Sequence, residues 1–353
     1  MELDINLIMM IIGFTLAAYA IVANDAIQTL GTFLSSNAHR PWWVLWSFTM
    51  FVLLSTLLYS FYTNGGDVSY GRLEKFPPVA PAEFSWIYLL PPLFILIVTR
   101  FGIPVSTTFL VLTVFTTSNL EKMLTKSILG YLVAFVVGFI LYRFVVAVFE
   151  MNFIKTADEI TPSKRWVVAQ WLSTGFLWSQ WLIQDLANIF IYAPSEGLNE
   201  HGIRTISQAW LIGSILLFLL LHAIIFSNRG GAIQKIVTSK TNTADIRSAT
   251  IVDFTYGIIL LVFKSWSSIP MSTTWVFLGL LAGREFAIAY VSQLRKPKEV
   301  RRVVLNDMTK ALIGLAVSLA LAFSAPYLKN AFIEKKSDTM FTGKESTHAI
   351  EHS

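Results

Sequence analysis

Cysteine is absent from all 353 residues, so disulfides, thiolate nucleophiles and cysteine-ligated metals are excluded. Charge is scarce as well, Asp, Glu, Lys and Arg together making up only 14% of the chain. Set beside 54% hydrophobic residues and a mean hydropathy of +0.60, that scarcity excludes an ordinary soluble domain and implies a polytopic membrane protein. Alternating apolar and polar strands are missing too. The apolar residues run continuously, which favours spanning helices over a barrel. Neither a nucleophile–base pair, a metal-ligand cluster nor a Gly-rich phosphate loop is found, which argues against an enzyme. The net charge of +5 is dispersed over loops and outlines no nucleic-acid groove.

Apolar stretches recur at Leu7–Val22, Trp42–Tyr62, Phe84–Val98, Ile128–Phe149, Trp166–Ile183, Ile206–Phe226, Ile251–Phe263, Met271–Val291 and Ala311–Phe332. The acidic start, "MELDIN", lacks the basic region of a cleavable signal, so the first helix is expected to stay in the mature protein. The most basic connections are Ser227–Arg247 and Ser292–Lys310, both expected on the cytoplasmic side, which places the two termini outside.

Polar interruptions reveal the organisation. "ANDAIQTLGT" at 23–32 has a partner in "IQDLANIFIY" at 183–192, each setting an amide beside an aspartate and a second amide three residues later. "GIPVSTTFLV" at 102–111 matches "SIPMSTTWVF" at 268–277. Asp25 precedes Pro104 by nearly the same interval as Asp185 precedes Pro270, and two unlike motifs in the same order mark a duplication. The expected division is a first repeat at 1–150, a linker at 151–165, a second repeat at 166–332 and a polar tail at 333–353. Each copy holds about five membrane elements, and an odd number of crossings inserts the second copy upside down. The expected fold is therefore an all-α polytopic membrane protein of two inverted-topology repeats, with discontinuous or re-entrant helices meeting near the bilayer midplane, as in secondary transporters.

In P-x-S-T-T, the proline suits the first turn of a helix, where its missing N–H costs nothing. The N–H groups of that turn, with the hydroxyls of Ser106, Thr107, Thr108, Ser272, Thr273 and Thr274, form a donor-rich end suited to an oxyanion. Asn24 and Gln184 are further anion-binding candidates. The aspartates need a different partner, because a carboxylate within a span costs about 3 kcal/mol. Asp25 and Asp185 with the amide oxygens of Asn24, Gln28, Gln184 and Asn188 offer the oxygen ligands that Na⁺ prefers. A proton serves the same electrostatic purpose. The competing structural reading pairs each aspartate with a basic side chain such as Arg143 or Arg100. His222 reads as a packed residue, and Arg284-Glu285 as a mutually neutralising pair at a helix end.

These motifs resemble those of the inorganic phosphate transporter (PiT) family. Its first motif, G-A-N-D-x-A-N-x-x-G-T, is matched at Ala23, Asn24, Asp25, Gly31 and Thr32, its second at Asp185, Ala187 and Asn188, and P-V-S-T-T-H at Pro104–Thr108 and Pro270–Thr274. The chain departs at Val22, Gln28 and Gln184, and in Phe109 and Trp275, which stand where the family has histidine. The resemblance covers nearly the whole chain. It implies a multi-pass protein of a cell (inner or plasma) membrane that carries phosphate in symport with a cation, usually Na⁺, needs no other cofactor, and often forms a homodimer; it also brings Thr32 into the Na⁺ set. A proton-coupled sulfate permease of the same fold and a passive anion channel are the alternatives.

Overall fold

The computed structural model describes residues 4–101, 105–146, 163–200, 202–229, 245–292 and 297–350, and among these all side chains except those of 26–28, 144–146, 291–292, 326 and 329–350. The first half opens with α1 (Ile5–Ile21), whose first turn is capped by the Asp4 carboxylate accepting from the Asn6 amide. A π-helical segment, Val22–Ala26, carries the chain into α2 (Ile27–Ser36). Then follow α3 (Trp42–Thr63), two short 3₁₀ turns, α4 (Leu90–Arg100) with Pro91 and Pro92 in its first turn, α5 (Thr107–Phe115) and α6 (Leu120–Ile140). The second half comprises α7 (Lys164–Phe190), a two-stranded antiparallel hairpin of β1 (Gly197–Leu198) and β2 (Arg204–Thr205), α8 (Gln208–Ser227), α9 (Ile246–Trp266), α10 (Thr273–Ser292) and α11 (Pro297–Ile350).

Among the described residues, six helical stretches are long and apolar enough to cross a membrane: Ile5–Asp25, Trp42–Thr63, Leu120–Arg143, Gln208–Ser227, Ile246–Trp266 and Pro297–Ala325. Their outer surfaces expose large apolar side chains, among them Phe51, Leu132, Leu216, Val262 and Leu312, in a pattern that only an apolar solvent tolerates. The chain is an all-helical integral membrane protein. Phe84–Val98 forms one short 3₁₀ turn, Trp86–Leu89, and most of the eleven-residue α4, whose prolines suit its first turn but bar it from extending further toward the N-terminus. The connection expected at Ser292–Lys310 is shorter than the charge pattern suggested, since α11 begins at Pro297 and bears Lys298, Arg301, Arg302 and Lys310 on a helix. That helix also runs through most of the expected polar tail. The linker at 151–165 lies mostly outside the described residues.

The packing pairs the halves reciprocally. Taken in chain order, α1, α3, α4, α5 and α6 correspond to α7, α8, α9, α10 and α11. The last helix of the first half, α6, packs along α10, while the last helix of the second half, α11, packs on α5. Within the halves, α1 meets α4 and its counterpart α7 lies along α9. The α6–α10 contact is close because Gly279 and Gly283, spaced G-x-x-x-G, present bare backbone. A Cβ at Gly279 would sit 2.3 Å from the Tyr131 carbonyl oxygen, and one at Gly283 2.1 Å from that of Phe135.

Candidate functional site

The two short motifs meet inside the molecule. Ser106 caps α5, its hydroxyl accepting from the Phe109 amide at 3.3 Å, and Ser272 does the same for α10, accepting from Trp275 at 3.2 Å. Because serine takes the cap, Pro270 stands two residues before it rather than in the first helical turn, which corrects the expectation from sequence. Pro104 lies outside the described residues.

The threonines that follow cross from one half to the other. Thr108 donates its hydroxyl to the Met271 carbonyl at 3.2 Å, and Thr274 donates to the Val105 carbonyl at 3.3 Å. The same two hydroxyls, each sharing its single proton between two acceptors, also reach the carboxylates, Thr108 to Asp185 at 3.2 Å and Thr274 to Asp25 at 3.5 Å. Each aspartate thus receives a donor from the opposite half. Asp25 also accepts from Thr107 at 2.5 Å and from Asn24 at 2.9 Å, and Asp185 from Asn188 at 2.8 Å. The Asn188 amide further reaches the hydroxyls of Thr107 at 3.3 Å and Thr108 at 3.1 Å, so a continuous path of hydrogen bonds joins the two carboxylates. All of these side chains are buried.

Hydroxyls expected to remain open to an anion are therefore engaged with the carboxylates expected to hold a cation. The reason is elementary: a carboxylate is the strongest acceptor within their reach. Asp25 and Asp185 draw the hydrogen bonds described here from hydroxyls and amides. None of the ion pairs among the described residues, Arg247 with Asp245 and Arg284 with Glu285, involves them.

Local backbone differs between the copies. Asn24 and Asp25 sit in the π-helical segment, whereas Gln184 and Asp185 lie within the continuous helix α7. Asn24 reaches toward α4 and the start of α5, donating to the Val105 carbonyl at 3.4 Å and accepting from Thr99 at 3.3 Å. Its counterpart Gln184, longer by a methylene, turns instead to the Leu260 carbonyl of α9 at 3.1 Å. Three acceptor oxygens of α7, Gln184 Oε1, Asp185 Oδ2 and Asn188 Oδ1, are buried without a donor among the described residues. Orphaned oxygens of this kind suit a hard cation better than they suit an anion.

Of the remaining candidates, Thr273 is buried at the start of α10, where its carbonyl accepts from the Tyr256 hydroxyl at 2.9 Å. The Gln28 side chain lies outside the described residues. Thr32 belongs elsewhere: its hydroxyl donates at 2.6 Å to Asp253, which also accepts from Thr174 at 2.6 Å. Asp253 is a third fully buried carboxylate that the sequence reading passed over, although a single acid inside "IVDFTYG" was a visible signal. Arg72 and Lys126, both buried, were likewise missed. His222 is packed as expected, bonded to the Phe218 carbonyl and set edge-on against Trp178. Arg284 and Glu285 pair at 2.8 Å, but in the interior of α10 rather than at its end, with the guanidinium over Tyr142.

No family model matches the sequence, and no curated protein matches it. Among solved structures, one described as "The sodium-dependent phosphate transporter" superimposes over 94% of this chain and 99% of its own, with a TM-score of 0.59 and 16% identity. The chain shares the fold of that transporter.

Proposed function

We propose that this protein is a secondary transporter of a cell membrane that carries inorganic phosphate in symport with Na⁺. The observation that carries this reading is the buried cluster in which two carboxylates and their amides interlock with two S-T-T helix ends, each end supplied by a different half. Carboxylates and orphaned oxygens provide for the cation, and the helix ends with their hydroxyls for a tetrahedral oxyanion. Binding of Na⁺ neutralises the acids and competes for their oxygens, which releases hydroxyl donors toward the anion. Cation and anion thereby depend on each other at one site, which is what symport requires. The shared fold with a solved sodium-dependent phosphate transporter supports the same reading.

The reciprocal packing of the halves supports an inverted relation between them, and with it alternating access by movement of one half against the other. A passive channel is disfavoured, because buried carboxylates repel an anion unless a cation accompanies it. The test is uptake of labelled phosphate and sulfate into proteoliposomes under an imposed Na⁺ or proton gradient. Concentrative phosphate uptake driven by Na⁺ is expected. Sulfate accumulation driven by protons establishes the sulfate permease instead, and equilibration without accumulation establishes a channel.

A further inference from the structure

Two buried cations lie apart from the hydroxyl cluster and have no role in the function proposed above. Arg72, in the connection between α3 and α4, donates through Nη1 to the carbonyls of Ser267 at 2.8 Å and Ile269 at 3.2 Å. Lys126, in the second turn of α6, donates to the same two carbonyls at 2.8 and 2.7 Å. These oxygens lie between the end of α9 and the S-T-T turn of the second half. Arg72 is 2% exposed and Lys126 5%, and neither has a carboxylate within ion-pairing distance among the described residues.

Two like charges that share two neutral acceptors repel each other, and burial deepens the cost. For Arg72, burial lowers the pKa to about 10, while the charge of Asp185 acts in the opposite direction. The guanidinium therefore senses the central cluster. Its Nη2 is buried with no partner among the described residues, and an ammonium that serves two carbonyls keeps a third N–H. The arrangement leaves planar guanidinium donors and an ammonium donor together beside the turn that leads into the second S-T-T motif. Capping of two carbonyls requires neither a second cation nor unspent donors. An oxyanion makes use of both.

We propose that Arg72 and Lys126 form a second oxyanion subsite, which takes inorganic phosphate on its way to or from the hydroxyl cluster. The inference rests on the function proposed above for the identity of the anion. The Arg72 Nη2 and Lys126 Nζ donors bind the anion by charge and hydrogen bonds, and Asp185 beyond them limits how long it stays.

The test measures initial rates of Na⁺-driven phosphate uptake for wild type, Arg72→Gln, Lys126→Gln and Arg72→Lys. Glutamine retains an N–H for the carbonyls while removing the charge. Each glutamine variant is expected to raise the KM for phosphate about tenfold and to keep kcat within about twofold, with Arg72→Lys close to wild type. An unchanged KM, the result expected if the pair only fastens the turn or holds a lipid headgroup, overturns the proposal, and so does a fall confined to kcat. If wild type takes up no phosphate, the proposed function fails, and the subsite is then judged separately from crystals of the intact chain soaked in sodium tungstate. The same measurement decides if the glutamine variants do not fold. An anomalous peak within hydrogen-bonding distance of Arg72 Nη2 and Lys126 Nζ upholds the subsite, and its absence there refutes it.

Discussion

Thr107→Val isolates one hydroxyl on which the central cluster depends. Valine has nearly the shape of threonine, so the packing of this buried position is conserved while two hydrogen bonds disappear. One is the 2.5 Å bond to Asp25, and the other is the 3.3 Å bond from Asn188, through which Asp25 is joined to Asp185. A hydrogen bond to a charged group contributes about 1.5–3 kcal/mol. Because Na⁺ is proposed to displace this bond, deleting it removes a competitor, and at about 1.4 kcal/mol per decade Na⁺ affinity should rise by about 10- to 100-fold while phosphate affinity falls. Thr107→Ser keeps the hydroxyl and should remain near wild type. Thr113→Val is the control, since the Thr113 hydroxyl donates to the Phe109 carbonyl of its own helix. The assay is Na⁺ dependence of phosphate uptake, read with equilibrium binding of radioactive sodium to purified protein. A Thr107→Val protein with the Na⁺ affinity of wild type refutes the assignment of this cluster to the cation.

Three further outcomes are expected. Asp25→Asn and Asp185→Asn should each abolish Na⁺-driven accumulation while the protein remains folded and monodisperse, and coupled uptake at the wild-type rate in both would remove the carboxylates from the mechanism. Thr108→Val and Thr274→Val delete matching bonds across the halves, to Met271 and Val105, so their losses of phosphate affinity by calorimetric titration in saturating Na⁺ should agree within about threefold. Gly283→Leu should lower thermal stability by about 1–3 kcal/mol or prevent assembly, because its Cβ meets the Phe135 carbonyl at 2.1 Å; Gly213→Leu, where a Cβ meets nothing within 4 Å, is the control.

Much of the membrane architecture was legible because a helix in lipid must satisfy its own backbone, and that demand is written in continuous apolar runs. The duplicated P-x-S-T-T turns were legible as helix starts, but the sequence puts the proline in the first turn, whereas the serine takes the cap. What the sequence concealed were the side-chain partners. Thr32 entered the Na⁺ set through the resemblance of its motif, which carries no information on its side-chain partner. Asp253 claims it instead, because α9 lies against α2 and supplies a closer acid. Arg72 and Lys126 were missed, since no local pattern tells that distant segments converge on the carbonyls of Ser267 and Ile269. The divergence of Gln184 from Asn24 was visible as a substitution, but its consequence, a turn toward Leu260, depends on the neighbouring helix.

The reciprocal threonine bonds bear on how such a site can operate. Thr108 belongs to the first half and its acceptor Met271 to the second, while Thr274 belongs to the second and its acceptor Val105 to the first. Neither half can complete its own turn alone. A movement that separates the two turns must release both bonds, and it simultaneously withdraws from each aspartate the donor supplied by the opposite half. On the proposed function, an unliganded carboxylate makes that separation costly, since it would be left buried with fewer donors. Sodium at the carboxylates and an anion at the turns replace the lost partners with their own. The separation is then inexpensive when both solutes are present, and costly when the carboxylates or the turns are left without a partner. Obligatory coupling follows from this arrangement without any dedicated gate.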